Sequence, residues 1–149
     1  MKKTTLAFIL SIASLTVAAE CRITSVRDGQ IATIFKKHGG WTFENYDEVC
    51  AKLNRARARI QIVGMASVLV NQSVGWASLT VVDMDSNVFT ADYASMNTQV
   101  NSYASQDKAD ALVHTAINQA ANDWTGLDRA LAALEEERKN ARMVFGRKR

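Results

Sequence analysis

An α+β architecture is predicted for this chain: a three-stranded antiparallel meander packed against helices, in the order α-α-β-β-β-α-α. Three observations lead there. Apolar residues recur at helical spacing around residues 42–53 and again over 105–141. Residues 60–93 are rich in β-branched side chains and are broken by short polar turns. Finally, the 149 residues are 48% hydrophobic and 22% charged, with a formal net charge of +3. That composition excludes long-range disorder and a cysteine-dense miniprotein, and the length suits one domain without separate cofactor and substrate lobes.

Residues 1–19 read as a leader. Lys2 and Lys3 precede an apolar run from Leu6 to Ala19, about 14 residues against the roughly 20 of a membrane helix. The run ends on Val17 and Ala19, small residues two apart, in the order of a secretory signal peptide. Cleavage is expected between Ala19 and Glu20. It leaves residues 20–149 as a single α+β domain whose C-terminal tail is basic from about residue 138. Glu20 stands where a lipoprotein signal needs a small residue before Cys21, so no lipid is expected there. Without Lys2 and Lys3, 16 basic residues face 15 acidic ones, for a net charge of +1.

Export places Cys21 and Cys50 in a compartment that permits oxidation, and two cysteines allow one intramolecular pairing. A Cys21–Cys50 disulfide closing a loop of about 30 residues stabilises by roughly 3–4 kcal/mol on the chain-entropy view. Free thiols, a metal pair or an intermolecular bridge stay open as alternatives. A catalytic dithiol is disfavoured, because redox motifs place the two cysteines close together.

Along the exported chain, Asp28 and Gly29 suit a hairpin turn between residues 22–27 and 30–35. The spacing of Ile31, Ile34, Phe35 and His38 favours a short helix stopped by Gly39 and Gly40. The next helix is expected from Thr42 as its cap, with Trp41 and Tyr46 as a hydrophobic staple and Glu44, Asp47 and Glu48 at its positive end. Val49, Cys50 and Leu53 continue its inward stripe. Strands follow over Ile60–Val70, about Val74 to Val82, and Val88 to Tyr93 or beyond, joined by short turns that make antiparallel neighbours. Ser105 caps a helix carrying Ala109, Leu112, Val113, Ala116, Ile117 and Ala120 on one face. Thr125 and Gly126 break it before a last helix through Leu127, Ala130, Leu131 and Leu134. Arg138 and Ala141 prolong that last stripe, so this helix is expected to outrun the core. Trp76, Tyr93 and Trp124 are assigned to core packing.

Catalytic, cofactor and metal sites find no support. The histidines are His38 and His114, neither sits in a nucleophile motif, and His114 falls off its helix's apolar stripe as a solvated flank residue. The glycines at 39 and 40 lack a phosphate-binding context. Asp83, Asp85 and Asn87 match the first ligand positions of a calcium loop, but Val88 and Ala94 fail the rest, so a polar turn with solvated aspartates is expected. A helix, three-strand, helix order over 43–122 is shared with double-stranded RNA-binding domains. Here Asp107, Asp110 and Asp123 surround Lys108 and repel phosphate, and no nucleic acid is expected.

Two basic clusters remain. Arg55, Arg57 and Arg59 follow one helix, and Arg138, Lys139, Arg142, Arg147, Lys148 and Arg149 are candidate contacts for an anionic partner or an anionic envelope surface. The expectation is a small exported, non-enzymatic binding protein of a bacterial envelope, periplasmic or secreted, of inhibitor, immunity or accessory type. Its protein partner and oligomeric state are left open. Two alternatives stand beside it: a secreted hydrolase in which Asp83, Asp85, Asp92 and Glu44 converge, and an envelope-associated structural protein.

Overall fold

A computed structural model describes residues 20–146. The chain runs through β1 (Ser25–Val26), α1 (Gly29–Lys37), α2 (Tyr46–Arg55), β2 (Ala58–Leu69), β3 (Gln72–Asp83), β4 (Phe89–Asn101), α3 (Gln106–Asn122) and α4 (Leu127–Gly146). The class is α+β, and β2, β3 and β4 form the expected antiparallel meander. Two details differ. The sheet has four strands, in the order β1-β2-β3-β4, and is mixed, because β1 pairs parallel with β2 through Ser25 opposite Ile60. A strand also precedes the first helix. Two residues carry no readable periodicity, and their pairing depends on a segment 35 residues further along the chain.

Local chemistry explains most boundaries. Asp28 caps α1, its Oδ1 accepting from the Ile31 amide at 2.8 Å, and Gly39 and Gly40 end the helix at φ of 92° and 78°, a region open to glycine. Ser105 caps α3 by accepting from Lys108. For α2 the expectation is corrected. The helix begins at Tyr46, and Asn45 at its N-cap makes no side-chain capping bond. Thr42 lies three residues before the N-cap and does not cap; its amide donates to Asn118 Oδ1 at 2.6 Å, and the Glu44 amide, which a Thr42 cap would have taken, donates to Asn122. Side chains of α3 thus serve the amides of this connection, among them the one a Thr42 cap was expected to take.

The core lies between one face of the sheet and the helices. Ile60, Ile62, Leu79 and Val81 meet Val113, Ala116, Ile117 and Leu134 there. Gly75 is what lets α3 approach: a Cβ on it would stand 2.3 Å from the Leu112 carbonyl carbon and the Val113 nitrogen. Cys50 is fully buried and bonded to Cys21, with 6.1 Å between the Cα atoms. The Tyr46 hydroxyl reinforces this link by donating to the Cys21 carbonyl and accepting from the Ile23 amide. Of the three aromatics assigned to the core, Trp124 is buried, but Trp76 is half-buried on the other face of the sheet and Tyr93 is exposed. Tyr93 sits in an irregularity of β4 with φ 59°, its carbonyl accepting from Trp124 Nε1 at 2.8 Å.

Candidate functional site

Helix α4 buries Leu127, Ala130 and Leu134 against the core, then continues for three further turns. Its overhang forms one wall of a groove through Leu131, Glu135, Arg138, Ala141, Arg142 and Phe145. The turn from Asp83 to Val88 forms the opposite wall, and the end of α2, Arg55 to Arg57, closes one end. The space is about 1070 Å³ and widely open to solvent. Ala56, Val88, Leu131, Ala141 and Phe145 make its surface mainly apolar, and arginines occupy its margins.

Arg138 sets the spacing of these walls. Its Nε donates to Asp83 Oδ1 at 2.7 Å, Nη1 to the Ala56 carbonyl at 2.9 Å and Nη2 to the Arg57 carbonyl at 2.8 Å. The Arg138 and Asp83 side chains are only 15% and 11% exposed, so the pair is largely shielded from water. The Arg57 carbonyl can take this bond and one from the Met84 amide because Arg57 adopts φ 48°, a strained conformation held by the bonds around it. Arg57 itself grips Asp85 with two hydrogen bonds of 2.9 and 2.6 Å at the exposed rim. Burial works against the charged form of Asp83, yet the Ser86 hydroxyl and Arg138 outweigh it and hold the carboxyl below the usual range. The Asp85 carboxyl is lowered by the Arg57 hydrogen bond. Both carboxylates therefore stay ionised and occupied, a state suited to fixing walls and opposite to that of a general acid.

The candidate residues fall into different places. Asp83 and Asp85 both line the groove, whereas Glu44 borders a separate hollow of about 250 Å³ beside α3, and Asp92 lines neither. The four carboxylates do not converge as glycoside chemistry needs. Asp83 also departs from the expected solvated turn, because Arg138 draws it inward. Among the basic residues, Arg138 is turned into the protein and is not a free contact for an anionic partner. Lys139 pairs with Glu136 at 2.8 Å and Arg142 with Glu135 at 3.3 Å, both at exposed sites. Arg147, Lys148 and Arg149 lie outside the described residues, as does Ala19 with the rest of the leader; Glu20 opens the described chain. The Arg55 side chain makes no hydrogen bond or ion pair among the described residues.

His114 is corrected too. It is partly buried, 5.9 Å from the Phe35 ring and 5.5 Å from the His38 ring. A carbonyl can only accept, so the 2.7 Å contact with Gly40 O makes His114 Nε2 a donor. Beside it, Asn118 is buried and links Gly40, Thr42 and His114. Asn118 went unremarked in the sequence, although a polar amide between Ile117 and Ala120 on an apolar stripe is the kind of signal that marks a buried network.

The site and fold together define an α+β protein with an arginine-rimmed apolar groove. No protein-family model matches the chain, and no curated protein matches it. Among solved structures, a candidate lipoprotein from Caulobacter crescentus CB15 is similar over 85% of this chain and 93% of its own, at 12% identity and a TM-score of 0.29. That superposition is too loose to transfer a fold or a function. Among the described residues no helix is long and apolar enough to cross a membrane, and no group of three or more His, Cys, Asp or Glu side chains is placed to hold a metal.

Proposed function

We propose that this is an exported, non-enzymatic binding protein of a bacterial envelope, of inhibitor, immunity or accessory type, whose groove under α4 takes a protein segment presenting apolar and acidic side chains. The observation that carries the reading is the groove's chemistry. Its apolar walls offer area for anchor residues, and at the margins Arg55, with Arg142 at an exposed position, offers charge-assisted bonds to carboxylates. An open groove of this size beside a single helix suits a peptide segment better than an enclosed small molecule. In sequence, the basic residues Arg147, Lys148 and Arg149 follow α4 and add positive charge to this end of the chain. Export follows from the leader-like residues 1–19, and the Cys21–Cys50 disulfide fits the oxidising compartment to which such a leader directs a chain.

Affinity capture from envelope extract tests the reading. The wild-type protein is expected to retain a specific partner at physiological salt, and the Arg55→Glu, Arg142→Glu double variant to retain at least about tenfold less, since like charges then face the partner's acids. Equal retention by both proteins, or none by the wild type, contradicts it.

A further inference from the structure

Among the described residues, the helices cover one face of the sheet and leave the other bare. Side chains alternate along a strand, so the positions opposite the core face point outward. Three adjacent rows across β2, β3 and β4 are defined by the pairings Val63–Ser78–Met96, Met65–Trp76–Thr98 and Ser67–Val74–Val100. Val63, Met65, Met96 and Val100 are 46%, 59%, 63% and 58% exposed, with the half-buried Trp76 at their centre. Antiparallel sheets with one wet face ordinarily carry polar residues there. Here the core side of the same rows holds the smaller or more polar set, Gly75, Ala77, Asn97 and Gln99, so in this half of the sheet the solvent side is the more apolar. Residues 62–66 of β2 are apolar at every position, the composition of a strand covered on both faces.

We propose that a second copy of this chain supplies the missing cover, the two sheets packing face to face about a two-fold axis that runs along β3. Two features of the rows specify that occupant. None of their nine positions carries a charge, so identical patches meet without repulsion, as an isologous interface requires, and the mixture of Trp, Met and small neutral residues is that of an interface core. The axis also sets β2 of one copy over β4 of the other. Met65 then lies over Thr98 of the second copy, Val100 over its Ser67 and Met96 over its Val63, so on the flanking strands longer side chains meet shorter ones, while on the axis Trp76 lies over Trp76 of the second copy. Strands of twelve residues at about 3.3 Å each, three abreast at about 4.8 Å, give a face of about 14 by 40 Å. Two such faces cover at most about 1,100 Å², of which the three neutral rows, five residues long, make up about 500 Å², below the range of roughly 1,200–2,000 Å² of stable interfaces. The dimer is therefore a concentration-dependent one. This surface is separate from the groove, and neither proposal rests on the other.

Sedimentation velocity over a concentration series tests it, with far-UV circular dichroism to verify folding. The wild type is expected to pass from monomer to dimer. Met65→Lys and Thr98→Asp, both at solvent-facing positions, should each weaken association at least about 100-fold, because a charge enters a closed apolar contact. The Met65→Lys, Thr98→Asp double variant should recover at least about tenfold over either single change, since the two new charges meet only across the two-fold. A wild type that stays monomeric throughout, folded single variants that associate like the wild type, or a double variant no better than the singles would overturn the proposal.

Discussion

Arg138 reaches Asp83 across 55 residues of sequence, Nε lying 2.7 Å from Oδ1, while the rest of the guanidinium donates to the carbonyls of Ala56 and Arg57. One side chain thereby ties α4 to the last residue of β3 and to the end of α2, the three segments that wall the groove. Removing it leaves a shielded carboxylate and two carbonyls without their donor. Arg138→Ala is expected to destabilise by about 3–5 kcal/mol, read as a lower urea midpoint. Arg138→Met combined with Asp83→Leu should lose less than Arg138→Ala alone, because no charge is then stranded.

The pH dependence of stability follows from His114. Burial lowers its pKa from the ordinary value near 6.5; the Gly40 hydrogen bond opposes the shift and the nearby His38 adds to it. As pH falls through about 6.5, the unfolded chain takes up a proton that the folded chain still refuses. Stability should therefore decline below about 6.5 and level off only beneath the folded-state pKa. Unfolding free energies at about pH 7.5 and about pH 5.5 should differ in the wild type, and less so in His114→Gln. A wild-type profile that is flat over this interval contradicts the placement of the ring.

Much of this architecture was legible because it is local. Ser105 announces α3 by capping chemistry that needs no partner from elsewhere, the spacing of Ile31, Ile34, Phe35 and His38 announces α1, and the β-branched run before Asn71 announces β2. Thr42 misled because the helix starts only at Tyr46 and the Glu44 amide, which a Thr42 cap would have taken, donates to Asn122, 78 residues away; tertiary bonds overrode a local rule. The groove was legible only by half. The stripe through Leu131, Leu134 and Arg138 shows that α4 continues beyond the core, yet nothing near residue 83 indicates that its aspartate meets that helix. Trp76 was misplaced for a related reason. Alternation says that it opposes Ala77 across the strand, but which side the helices cover is decided by Gly75, where only the absence of a side chain admits α3.

That glycine separates two substitutions that look alike in sequence. Gly75→Ala drives a Cβ into the backbone of α3 and is expected to cost about 3 kcal/mol. Gly29→Ala, at the first position of α1 with nothing within 4 Å of the new atom, should stabilise by about 0.5 kcal/mol by restricting the unfolded chain. Thermal melts of the two variants check both signs.

The disulfide anchors the segment that carries β1. Replacing Cys21 and Cys50 together by serine should lower stability by roughly 3–4 kcal/mol. The local readout is the Ile60 amide, which donates to the Thr24 carbonyl at 3.0 Å. Its hydrogen exchange should accelerate more than that of the Leu79 amide in the middle of the sheet. Equal acceleration at both amides would mean that the bridge acts only through global stability.

Whether the groove is where a partner binds can be read most directly by site-specific photo-crosslinking in the envelope. A photoreactive residue in place of Val88, on the groove wall, is expected to yield a single covalent adduct with one protein, while the same residue in place of Thr33 on α1 yields none. Adducts of equal yield at both positions, or none at Val88, would contradict the assignment of the groove as the binding site.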